Sequence, residues 1–118
     1  MELVNVLEIK QMVKEAIYLA DLLENEAGME GDFDSSDDHG KDKQLLSEFK
    51  IKLDELQNTD LYPTMVVKSI KEYIPEMNFD LLCEYTKIAI QRNKDESQRL
   101  QMKINQREAM IKVLCNQQ

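Results

Sequence analysis

The sequence predicts an all-α fold: an up-and-down bundle of four helices, or five if the C-terminal segment divides, ending in a long helix able to form a coiled coil. Three observations predict it. All three glycines fall between Gly28 and Gly40, and the prolines are Pro63 and Pro75, so the rest of the chain has no strong breaker. Those uninterrupted stretches are rich in Leu, Met, Ala, Glu, Lys and Gln, all good helix formers. Apolar residues recur at spacings of three and four, with no two-residue alternation and no Asn-Gly or Asp-Gly hairpin signal.

A first helix is expected from Leu3 to Ala27, with Val6, Ile9, Val13, Ala16, Ala20, Leu23 and Ala27 on one face and Gly28 as its C-terminal stop. Residues 29–42 hold six acids and one base; such self-repelling charge predicts an acidic flexible loop, with Phe33 as its aromatic anchor. A second helix, capped by Asp42, is expected to run to Asn58 with Leu46, Phe49, Leu53 and Leu56 inward. Pro63 suits the first turn of a third helix, which runs to Ile74 before Pro75. Asn78 is the expected cap of the next.

Residues 79–118 contain no Gly or Pro. Their first part is apolar, Gln91 to Arg99 has no apolar side chain, and the heptad-bearing part, 96–118, places Leu100, Ile104, Arg107, Ile111 and Leu114 on one stripe. The expectation is one long helix with a polar middle, its end projecting from the bundle. The alternative has Asp95, with Gln98 three residues on, capping a fifth helix.

A chain of 118 residues fits one domain of a size that needs no metal or disulfide to fold. At 42% apolar and 32% charged it reads as an ordinary globular chain. No apolar run approaches the roughly 20 residues that span a bilayer, and the start, Met-Glu-Leu-Val-Asn, has no signal-peptide character. Cys83 and Cys115 form no CxxC pair. They read as reduced thiols, giving a cytoplasmic or nuclear expectation.

Sites of chemistry are scarce. The acidic run fails as an EF-hand in both registers: from Asp32, positions 6 and 12 are Asp37 and Lys43, and from Asp34 position 12 is Leu45. One His and two Cys cannot complete a structural zinc set of about four ligands. His39 sits among carboxylates with only Ser35 and Ser36 near it, and reads as an exposed bystander. No phosphate-binding glycine loop, HExxH or GxSxG occurs. The expectation is therefore a non-enzyme with no cofactor and no metal. Ser35, three residues before Asp38, fits an acid-directed phosphorylation site.

Charge says more. The chain carries −8 overall, yet residues 79–118 carry +2. Arg92, Arg99, Lys103 and Arg107 can form a basic stripe suited to an acidic partner. The net charge disfavours nucleic acid. Arg107 interrupts an apolar stripe, where a polar residue often sets register or partner choice. The function expected is a protein-interaction module, an adaptor or subunit of a larger assembly. It would bind another protein or a second copy of itself through Leu100, Ile104, Arg107, Ile111 and Leu114.

One alternative is a small acidic regulator that masks a basic surface of an enzyme or nucleic-acid-binding protein. Another follows from Leu53-Asp-Glu-Leu56 and the run Thr64-Met-Val-Val-Lys-Ser-Ile-Lys-Glu-Tyr73. Together these resemble the helical N-terminal domains of transcription-elongation factors and the related integrase-binding domain, over under a fifth of the chain and without that family's intervening helix. The resemblance implies a transcription-associated binding domain.

Overall fold

A computed structural model describes residues 2–94 and 100–115. Five helices make up almost all of these: α1 (Val6–Met29), α2 (Phe33–Asp54), α3 (Pro63–Tyr73), α4 (Phe79–Asn93) and α5 (Gln101–Cys115). The fold is all-α, with one small addition. β1 (Val4–Asn5) and β2 (Asp60–Leu61) pair antiparallel in the register Val4 with Leu61 and Asn5 with Asp60. Two residues per strand are too few for an alternating pattern to show in sequence.

The first difference from expectation is at the acidic run. It is the start of α2, not a loop. Asp32 caps the helix, its side chain accepting from the Ser35 backbone N–H at 3.2 Å, ten residues before the expected cap at Asp42. Asp34 in the first turn favours the helix, because the N-terminal end of the helix dipole is positive. Longer-range bonds add to this. Ser36 donates to the Glu24 carbonyl at 3.0 Å, and Lys43 reaches Asp21 and Glu24 at 3.0 and 3.1 Å. These carboxylates, Asp21 ahead of Glu24, push the Lys43 ammonium above its usual pKa.

Gly28 does not stop α1. The helix continues to Met29, and the reversal falls to Gly31, whose φ of +80° is the left-handed geometry that glycine adopts without strain. Two more boundaries shift: α1 opens at Val6, capped by Asn5, not at Leu3, and α2 ends at Asp54, not Asn58. The remaining ones agree with the sequence reading to within a residue. Pro63 opens α3, Asn78 caps α4 by accepting from the Leu81 N–H at 3.0 Å, and α3 ends before Ile74.

The third difference is at the C-terminus. Phe79–Asn93 and Gln101–Cys115 are two separate helices, and α5 returns along α4 so that Cys115 forms a disulfide with Cys83. The expected single projecting helix is replaced by an antiparallel pair, and the expected free thiols by a cross-link. Asp95 and Arg99 lie outside the described residues.

Inside, Ile9, Met12, Val13, Ala16 and Ala20 of α1 meet Leu46, Phe49 and Leu53 of α2, Val66 and Ile70 of α3, and Phe79, Leu82 and Tyr85 of α4. Leu114 and Met110 of α5 complete this core. Lys10, itself buried, donates to the Leu56 carbonyl and Asn58 Oδ1, both at 2.7 Å, and so ties α1 to the segment leading into β2. Tyr73 donates to Glu55 at 2.7 Å and Lys52 pairs with Glu76, joining the C-terminal ends of α2 and α3. No helix among the described residues is long and apolar enough to cross a membrane.

Candidate functional site: a groove between α1, α4 and α5

Helix α1 carries two stripes. The first is the core face described above. The second, Gln11, Glu15, Tyr18 and Leu22, turns away from α2 towards α4 and α5. With Ala89, Ile90 and Asn93 of α4 and Met102, Lys103 and Gln106 of α5 it lines a groove of about 1130 Å³. The floor is apolar, from Leu19, Leu22, Ala89 and Ile90. Tyr18 of α1 and Met102 of α5 line the groove with 73% and 74% of their surface exposed, so neither is held by the fold.

At one side α5 meets α1 through charge. Arg107 sends Nε and Nη2 to the two oxygens of Glu15, both at 3.0 Å, and Lys103 reaches the same carboxylate at 3.2 Å. Burial alone would raise the Glu15 pKa. The Arg107 guanidinium, ahead of the Lys103 ammonium, more than offsets this and holds the carboxyl below its usual value. At the other side, Arg92 pairs with Glu26 at 2.6 Å. Lys14 is exposed and makes no ion pair among the described residues.

The five C-terminal stripe residues are divided by this arrangement. Leu114, Ile104 and Arg107 are buried against their own chain, and Ile111 and Leu100 are half-buried. The stripe's inner face is thus occupied within the molecule, while Ile104 and Arg107 also reach the groove. Tyr18, Leu22 and Met102, absent from the expected set, are the residues that the groove adds. Their signal in the sequence is a large apolar side chain off the main stripe of its helix.

A second cluster lies at the α2–α4 contact. Asp42 is an acceptor, so the Tyr85 hydroxyl donates to it at 2.6 Å and accepts from His39 Nδ1 at 2.8 Å. Burial, then the Asp42 carboxylate, raise the Tyr85 pKa well above the usual phenol value. His39 is therefore half-buried and held, not a bystander, and Tyr85 and Asp42 are the partners that sequence spacing did not bring to it. Ser35, Asp38, Lys41 and Glu84 line a hollow of about 410 Å³ beside them. Among the described residues no hydrogen bond joins the Ser35 hydroxyl to His39, and no set of three or more His, Cys, Asp or Glu is arranged around a metal position. Phosphate on Ser35 would meet Asp38, Asp42 and Glu84, a like-charge cost set against the favourable helix N-terminus.

No protein-family model, curated protein or solved structure matches this chain.

Proposed function

We propose that the chain is a non-enzymatic protein-interaction module, a subunit or adaptor that receives a helical segment of a partner in the groove between α1, α4 and α5. One observation carries the reading: Tyr18 of α1 and Met102 of α5, both more than two-thirds exposed, line one groove with an apolar floor. Exposed aromatic and Met side chains beside an apolar cleft are what an amphipathic helix docks against. From Gln11 to Leu22 the wall runs roughly 16 Å, at about 1.5 Å per residue, or three turns of a bound helix.

In this reading α1, α2, α4 and α5 are the bundle and α3 braces it. The heptad spacing of α5 serves that bundle; Leu114 and Ile104, buried in their own chain, support this over a coiled coil with a second copy. The paired cysteines bear on location: disulfides persist in oxidising compartments and are rare in the cytosol. A cytoplasmic or nuclear setting would hold the chain in its reduced form.

The test is a backbone-amide NMR titration of the full chain with a synthetic three-turn amphipathic peptide with leucine at helical spacing. Shifts confined to residues 11–22, 86–93 and 102–107 are expected. Shifts confined to another face, or none at all, would overturn the proposal.

A further inference from the structure

We infer that the helix taken by the groove is acidic: leucine-faced towards the floor and flanked by carboxylates. The inference rests on the docking reading above and adds the chemistry of the partner. The whole chain carries −8, yet the charged residues lining the groove are Lys14, Arg92, Lys103 and Arg107 against Glu15. Glu15 is already engaged, with both oxygens on Arg107 and one shared with Lys103. Arg92 is matched by Glu26, outside the lining. The positive surplus therefore rests on Lys14 and on Lys103, which shares its single carboxylate with Arg107.

Both lysines line the groove, Lys14 from α1 and Lys103 from α5, as do Tyr18 and Met102. A helix seated on this groove presents its apolar face to Leu22, Ala89 and Ile90, with both lysines beside it. Acid beside that apolar face meets the positive surplus, and base there meets a like charge. A nucleic-acid strand fits less well. Its phosphates would find Lys14 and the Lys103 that already shares Glu15, beside an apolar floor, on a molecule whose net charge repels them.

Three probes decide it, each measured by fluorescence anisotropy on the full oxidised chain. They are a leucine-faced peptide with glutamate flanks, the same peptide with lysine flanks, and a single-stranded DNA of similar length. The glutamate peptide is expected to bind about tenfold or more tighter than the lysine peptide, with the difference shrinking as salt is raised. Lys14→Glu, at a residue with no internal ion pair to lose, should narrow or reverse the preference without changing the urea midpoint. Equal affinity for both peptides would overturn the acidic partner and leave the groove as a docking site. Tighter binding of DNA than of the glutamate peptide would overturn it in favour of nucleic acid. Binding of none of the three would bring down the docking reading itself.

Discussion

Where α2 returns along α1, the contact is made by shape and by short polar links: Ser36 on the Glu24 carbonyl, Lys43 on Asp21 and Glu24, and Phe49, Leu46 and Leu53 in the core. Where α5 returns along α4, fewer core side chains take part, and a disulfide to α4 at one end and the Arg107–Glu15 ion pair to α1 do more to hold the helix. The difference follows from composition. Helix α1 has apolar residues to spare for α2, whereas α5 offers Ile104, Met110 and Leu114 between Lys103, Arg107, Glu108 and Lys112. A helix with a thin apolar face needs other ties, and its open side becomes a groove wall.

Breaking the covalent tie should have the largest effect. Replacing both Cys83 and Cys115 by Ala, a closure spanning 32 residues, is expected to cost about 3–4 kcal/mol on the loop-entropy model. Urea unfolding followed by circular dichroism measures it, and hydrogen exchange should show α5 losing protection before α1 and α2. Uniform loss across all helices would contradict the contrast drawn between the two pairs.

The ion pair comes next. Arg107→Met should destabilise by about 1–2 kcal/mol, less than the several kcal/mol of a fully buried pair, because Glu15 is one-third exposed and keeps Lys103. It should also flatten the acid limb of stability. The Glu15 pKa lies below its unfolded value, so its contribution is full above the ordinary carboxylate range, about 4 to 4.5, and is lost as pH falls through the folded value. Urea midpoints between about pH 2.5 and 7 should fall less steeply in the variant than in the parent chain; parallel curves would assign the acid sensitivity elsewhere.

Two glycines sharpen the hairpin side. Gly31→Ala forces a side chain into the left-handed region and should cost about 1–2 kcal/mol although space is open around it. Gly40→Ala gains roughly 1 kcal/mol of helix propensity, but its Cβ would run into the Glu24 carboxylate and displace it from Lys43, so the net change should stay within about 0.5 kcal/mol. Thermal melts of the two variants distinguish a conformational role from a packing one.

The helices themselves were legible from apolar spacing, because period and burial are the same fact for Ile9, Val13, Ala16 and Ala20. Pro63 and Asn78 marked their boundaries because their roles are local. What spacing does not encode is the identity of the surface that covers a stripe. Leu100 to Leu114 read equally well as a seam for a partner or for the chain's own core, and only tertiary structure distinguishes them. Asp34, Asp37 and Asp38 were misleading for another reason. Their mutual repulsion is visible in sequence, whereas the Asp32 cap, the helix dipole that favours Asp34 and the approach of α1 are not. The Cys83–Cys115 pair and the Tyr85 link between His39 and Asp42 depend on residues at least 32 positions apart, beyond any local rule.

The central claim is that Tyr18 and Met102 are exposed in order to bind. Replacing both by Ala removes apolar surface from the groove and adds no charge. The account predicts that the affinity for the glutamate-flanked peptide falls by at least about tenfold while the urea midpoint stays where it was. Unchanged affinity, or a collapse of stability in place of binding, would contradict it.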